Sequence, residues 1–340
     1  MRILILIVTA FLLSLTAIGC IPDANQRAVV PDPTGYAWSR VTDRASYPEG
    51  YNYPVFTFGN WMVAMNNGAW LSTDGRKWVK TDLPESGLNS GYQKYVQFKG
   101  SIYALGTMQG NYLNMKLSSK IARTRNFRTW ETVAERSNLP DRVFYGATVF
   151  KDKIWLLGGY DGKNYFNDVW NSSDGATWQR VTDRAAWSPR LARTMTVFKN
   201  KLWLIGGGVI DGEKEINPNS TREIWSSEDG IEWTSVKPKT DKTGSWGSSP
   251  VVFDGKLWLV GANRSDGNFG NAVLDTDDGV TWETRSAPWT PRGAAAAWVA
   301  GDKLFMTGGK YSYTENGATR FVYSNDVWAM SKTMEKEDDH

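Results

Sequence analysis

The chain has 340 residues, a formal net charge of +3, 18 Trp, 33 Gly, one His and one Cys. Near-neutral charge without a Lys/Arg block argues against nucleic-acid binding. His340 lies in a charged tail and Cys20 beside an apolar leader, which excludes His-based triads, Cys nucleophiles beyond the leader, His/Cys zinc sites and any disulfide. In chain order, Arg2 is followed by the apolar run 3–13 and then by small residues up to Cys20. The run is too short for a spanning helix and fits a signal-peptide core.

The sequence "AIGC" at 17–20 resembles a bacterial lipobox, with Ala17 where Leu is usual. The resemblance implies cleavage after Gly19, lipidation of Cys20 and an exported, lipid-anchored protein whose membrane contact is that lipid. Ile21 rather than Asp after the Cys implies the outer membrane by the sorting pattern of Gram-negative lipoproteins. Residues 1–19 are thus a signal peptide. Residues 20–35 are the lipidated Cys and a tether, Pro-rich and aperiodic over 21–35 ("IPDANQRAVVPDPTG").

From residue 36 the chain repeats. Apolar strands ending in Gly occur at 102–106 (IYALG), 154–159 (IWLLGG), 202–207 (LWLIGG), 257–261 (LWLVG) and 304–309 (LFMTGG), with a degenerate copy, MVAMN, at 62–66. Another apolar strand precedes each, as in ATVF (147–150) or PVVF (250–253). After each comes a hairpin unit: WLSTDGRKW (70–78), WNSSDGATW (170–178), WSSEDGIEW (225–233) and LDTDDGVTW (274–282), with RTRNFRTW (123–130) as a copy lacking the Gly. Asp-Gly between β-prone runs predicts a two-residue type I′ hairpin. The unit is therefore four antiparallel strands, and its spacing is that of propeller blades.

The motif "VWNSSDGATWQRVTDRA" (169–185) explains how the ends meet. Its second half recurs alone at 36–45 (YAWSRVTDRA) and its first half alone at 325–331 (NDVWAMS). The last unit has three strands, and strand 37–42 has no hairpin partner before it. Closing the chain into a ring completes one blade from both ends. The expected fold is all-β: a six-bladed β-propeller over 36–331, four antiparallel strands per blade, the last blade closed by the N-terminal strand, with a charged tail at 332–340.

The Gly-Gly strands, the later Trp and the Pro-Arg before the first strand resemble kelch repeats. The S-x-D-G-x-x-W hairpins resemble a shortened Asp-box of sialidases. Thirteen Trp occupy repeat-equivalent positions: 38, 78, 130, 178, 233 and 282 in the hairpin units, with 70, 170, 225, 328, 155, 203 and 258. These read as packing between blades. The repeated Asp read as turn residues.

In a propeller the fourth-to-first and second-to-third connections surround the axial channel on one face, and a site is expected there. Arg142, Arg190 and Arg292 share one position before the first strand, where other blades have Gly50, Ser90 and Ser245. The kelch resemblance implies a ligand role for them, since a guanidinium fork suits carboxylate or phosphate. Bonding to loop carbonyls is the alternative. Arg193 is not repeated. Tyr51, Tyr53, Tyr92, Tyr145 and Trp246 are candidates for stacking on a sugar, while Trp187 and Trp289 read as anchors. The long connections 208–222, 263–271 and 310–325 add Glu213, Glu215, Arg222, Arg264, Tyr311, Tyr313 and Glu315.

Two functions fit this pattern. One is a tethered, monomeric binding module for an acidic glycan or peptide, without cofactor or metal. The other is a sugar-active enzyme: the resemblance extends to sialic acid mutarotases, for which Glu213 or Glu215 with Arg222 could supply a base beside an Arg. The Arg-Ile-Pro segment of sialidases is missing, and galactose-oxidase copper chemistry lacks its two His and its Tyr–Cys link. Of the two, the binding module is the expected function.

Overall fold

The computed structural model describes residues 31–32, 35–81, 92–110, 114–211, 214–215, 223–239, 248–261 and 269–333, with backbone alone at 31–32, 210–211 and 214–215. Cys20 and its leader, most of the tether, the tail from 334, Glu213, Arg222, Trp246 and Arg264 lie outside the described residues.

Six four-stranded antiparallel sheets form a six-bladed β-propeller. Blade 1 comprises Val55–Phe58, Trp61–Met65, Ala69–Ser72 and Val79–Thr81. Blade 2 comprises Lys94–Phe98, Ser101–Gln109, Lys116–Thr124 and Glu131–Ala134. Blade 3 comprises Gly146–Phe150, Lys153–Leu157, Val169–Ser172 and Gln179–Thr182. Blade 4 comprises Met195–Phe198, Lys201–Ile205, Ile224–Ser227 and Thr234–Val236. Blade 5 comprises Ser249–Phe253, Lys256–Val260, Ala272–Thr276 and Glu283–Ser286. Blade 6 takes Ala296–Ala300, Lys303–Thr307 and Val327–Lys332 from the C-terminal end and Tyr36–Thr42 from the N-terminal end.

The closing strand runs antiparallel to its partner, from Tyr36 opposite Lys332 to Thr42 opposite Val327. The split motif makes the same bonds twice. Within blade 3, the Asn167 side-chain amide donates to the Ala185 carbonyl at 3.1 Å; across the two chain ends, Asn325 donates to Ala45 at 3.0 Å. The same local structure, also made by Asn271 and Ala287 in blade 5 at 2.9 Å, is thus built inside the chain and again between its termini. Part of the expected tether is also structured: Pro31–Asp32 pairs with Tyr36 and Ala37 at the rim of blade 6, an edge position that tolerates Pro.

The turns differ from the expected hairpins. The Asp-Gly units are not two-residue hairpins. Their strands end at Ser72, Ser172, Ser227 and Thr276 and resume at 79, 179, 234 and 283, and only the Gly has positive φ. The Asp instead organises a longer loop by accepting two backbone N–H bonds, as Asp174 does from Ala176 and Thr177 at 2.8 Å each. Burial disfavours the charged form, but these bonds outweigh it and hold the carboxylate below the usual range. Paired positive φ occurs at the first-to-second turns, as at Lys151–Asp152 and Lys199–Asn200. The long connections carry strand pairs of their own: Ile210–Asp211 pairs with Lys214–Glu215, and Lys310–Glu315 with Ala318–Tyr323.

The core lies between blades. Each of the six interfaces holds its own apolar cluster. Trp187, Trp258 and Trp289 are among its fully enclosed rings, and the repeated Trp pack here as expected. Each such ring removes about 150–250 Å² from water, an upper-bound gain of roughly 4–6 kcal/mol at about 25 cal/mol per Å².

In blades 2, 3 and 4 the aromatic of the second strand packs onto the loop Gly of the next blade. A Cβ would meet Tyr103 at 2.3 Å on Gly175, Trp155 at 2.1 Å on Gly230 and Trp203 at 2.1 Å on Gly279. Blade 2 exchanges the two partners. Phe127 stands at the Gly position with φ 59°, and the facing position in blade 1 is Val63. Both are buried in one cluster. Asn126 there replaces the turn Asp, accepting from Arg128 and Thr129 at 3.0 and 2.9 Å.

Candidate functional site

Arg142, Arg190 and Arg292 do not reach the channel. Their side chains are 2%, 0% and 4% exposed. Each enters a blade and is caught by three partners. Nη1 donates to the carbonyl of the first Gly of the Gly-Gly pair, at 2.9 Å to Gly158, 3.3 Å to Gly206 and 3.4 Å to Gly308. Nε donates to a carbonyl of its own loop, as from Arg190 to Ser188 at 2.9 Å. The guanidinium pairs with Asp168 at 2.6 Å, Glu223 at 2.5 Å and Asp326 at 2.5 Å.

The same carboxylates accept the indole N–H of Trp170, Trp225 and Trp328 at 2.6, 3.1 and 2.8 Å. Each arginine therefore latches the incoming connection to the ends of the second and third strands. The expectation that these arginines contact ligand gives way to this structural role. A signal for it is present in the sequence. The carboxylate two residues before the third-strand Trp occurs in blades 3, 4 and 6, the blades that carry the Arg; blades 1, 2 and 5 have Gly68, Lys120 and Ala272 there. Tyr145 is likewise structural, buried with its hydroxyl donating to the Leu105 carbonyl at 2.5 Å.

Tyr51, Tyr92 and Arg193 do come together. The channel is lined by the first strands and the loops that enter them, and encloses about 280 Å³, near the small end of ligand sites. Its wall is uneven, with Tyr92, Tyr95 and Phe56 on one side and Ser248, Ser249 and Ala295 on the other. The described lining contains Lys94 and Arg193 and no Asp or Glu. Asn52, Tyr92, Phe144 and Ala294 share one repeat position and all have φ between 56° and 68°, uncommon for residues other than Gly. This kink turns each loop into its strand. It also joins blades at the axis: Asn52 N–H donates to the Ala294 carbonyl at 3.0 Å.

At the mouth the Tyr51 and Tyr92 hydroxyls lie 3.1 Å apart. Tyr92 meets Phe144 edge-on at 4.7 Å, and the Arg193 guanidinium lies 5.4 Å from the Phe144 ring centre. On the other side the Lys310 ammonium sits 4.6 Å over Tyr51, and Tyr323 stacks on Tyr51 at 5.5 Å. Lys94 lies deeper, its ammonium donating to the Arg193 carbonyl at 3.4 Å. Burial, and secondarily the charge of Arg193, pushes Lys94 down to about 8 and lowers Lys310 for the same two reasons. Burial first, then the Tyr92 hydroxyl, raises Tyr51.

Sequence reasoning missed Lys94, Lys310 and Tyr323. Lys94 was findable: its repeat equivalents are Pro54, Gly146, Thr194, Ser249 and Ala296, against which a lysine is conspicuous. Of the remaining candidates, Tyr53 is buried, Tyr311 and the exposed Tyr313 lie on the 310–323 hairpin, and Glu315 pairs at the surface with Arg320 at 3.5 Å. Glu215 is described as backbone only, on a short strand.

Residues 23–243 match the family model of the DUF6242 β-propeller domain. The chain belongs to that family. Its fold is similar to the solved structure of YjhT, with 11% identity and a TM-score of 0.65 over 86% of this chain and 97% of that one. At that identity the likeness shows the fold alone. No curated protein matches the chain.

Proposed function

We propose that this protein is a membrane-tethered, extracytoplasmic binding module of kelch type, taking the acidic group of a glycan or peptide at its channel mouth. The observation that supports this reading is the convergence of Lys94, Arg193 and Lys310 on one aromatic-walled opening, with the two lysines held below their usual range. Cations crowded in this way lose hydration and repel one another, and an anion among them relieves both costs. Tyr51 and Tyr92 offer hydroxyls to the same group.

The test is an array of acidic and neutral glycans and peptides probed with residues 21–340, followed by calorimetry on the best binder. Arg193→Ala should weaken binding roughly ten- to a hundredfold, the loss of one charge-assisted contact. Exclusive binding of neutral compounds, or equal affinity in the variant, would refute the reading. Turnover of the ligand, abolished by Glu213→Gln or Glu215→Gln, would place the protein among enzymes instead. The lipid anchor rests on the lipobox-like 17–20. Cys20→Ala should release the protein from the membrane fraction, and unchanged association of an unlipidated chain would contradict anchoring.

A further inference from the structure

The hairpin Lys310–Glu315/Ala318–Tyr323 stands at the channel mouth with little apolar cover of its own. Phe321 and Tyr323 are 50% and 39% exposed. A two-stranded hairpin is marginal alone in water, and this one is held at its base. Gly293 and Lys310 exchange backbone bonds at 2.9 and 3.0 Å, Ser324 N–H donates to the Gly309 carbonyl at 3.2 Å, and Gly50 N–H to the Ser324 carbonyl at 3.2 Å. Tyr323 is braced against Tyr51. The hairpin is therefore fixed to connections of blades 6 and 1, beside the mouth.

Its register sorts its side chains. Lys310 lies opposite Tyr323, Ser312 opposite Phe321 and Thr314 opposite Thr319, so these six share one face. The Lys310 ammonium sits between the rings of Tyr51 and Phe321, at 4.6 and 5.0 Å, which shows that this face continues the lining of the mouth. From the mouth outward it presents a cation, then two exposed rings, then hydroxyls. Beyond their contacts with Lys310 and Tyr51, Phe321 and Tyr323 leave 50% and 39% of their surface exposed on one face, and adjoining exposed apolar surface rimmed by polar groups marks a contact surface.

Building on the function proposed above, we infer that this hairpin is a second subsite, a platform on which further sugar rings of an acidic oligosaccharide lie while its acidic end occupies the mouth. Flat rings match the C–H faces of sugars and leave their hydroxyls to Ser312, Thr314 and Thr319.

The test uses calorimetry on residues 21–340 with tetragalacturonate, monomeric galacturonate and a tetraglutamate peptide, since any uronate chain offers ring faces and a carboxylate. The tetramer should bind more tightly than the monomer and than the peptide. Phe321→Ala and Tyr323→Ala should each weaken the tetramer about three- to tenfold, and Phe321→Ala, one pair further from the mouth than Tyr323, should leave the monomer unchanged. Arg193→Ala should weaken both sugars. Equal affinities for tetramer and monomer, or a tetramer indifferent to both hairpin substitutions, would overturn the platform while leaving the mouth standing. Preference for the peptide would overturn the sugar assignment. Monomer binding indifferent to Arg193→Ala, or no binding of either sugar, would overturn the mouth and the platform together.

Discussion

The exchanged pair at the blade 1–2 interface gives a stringent test of how the blades pack. At the blade 2–3, 3–4 and 4–5 interfaces a large second-strand aromatic meets a loop Gly, with no room for even a Cβ on Gly230 or Gly279. Here Val63 meets Phe127. Val63→Trp alone should overpack the interface and cost about 1–3 kcal/mol. Phe127→Gly alone should leave a cavity. Loss of a buried Phe costs about 3–5 kcal/mol, offset by about 1 kcal/mol from releasing a left-handed Phe, which leaves roughly 2–4 kcal/mol. The double variant restores the arrangement of the other blades. It should cost at least about 2 kcal/mol less than the sum of the singles, within the range of coupled neighbours. Equilibrium denaturation in urea with scanning calorimetry measures all four corners of the cycle. Strict additivity would refute the claim that the two positions fill one space.

Arg190→Ala should lower stability by about 2–3 kcal/mol, because it strands the buried Gly206 carbonyl while the partly exposed Glu223 carboxylate regains water, and should lower Tm by roughly 4–9 °C without changing ligand affinity. Lost binding at unchanged Tm would show that the arginine belongs to the site. Lys94→Met should stabilise the fold at pH 7, where the wild-type lysine is charged in both states and desolvated only when folded. Lys94 titrates near 8 when folded and near 10.5 when unfolded, so between those values the unfolded state holds more protons and wild-type stability rises with pH. The advantage of the variant should therefore shrink across that window, and a difference independent of pH would contradict the buried charge. Deleting 36–45 removes buried Tyr36 and Trp38 and bares the edge Val327–Lys332. It should cost more than about 5 kcal/mol and promote aggregation, whereas a truncated chain that melts like the full one would refute closure.

The ring was legible because its evidence is covalent order: a motif whole at 169–185 and halved at 36–45 and 325–331 can be completed only by joining the ends. The turns were less legible. Asp-Gly marks both a type I′ hairpin and a longer loop in which the Asp side chain caps the backbone, and the dipeptide alone does not separate them. The site was half legible. Tyr51, Tyr92 and Arg193 lie in connections whose destination follows from blade topology. Arg142, Arg190 and Arg292 lie in the same connections but turn inward, since a carboxylate waits for each two residues before the third-strand Trp. Lys310 escaped notice because its role depends on the packing of a hairpin against Tyr51, which no local pattern specifies.

A crystal structure of the chain from residue 21 with its best-binding acidic array ligand tests the central claim most directly. The account predicts acidic oxygens about 3 Å from the Arg193 guanidinium and from the Lys94 or Lys310 ammonium, inside the mouth bounded by Tyr51 and Tyr92. An acid group bound elsewhere, with those three cations untouched, would contradict it.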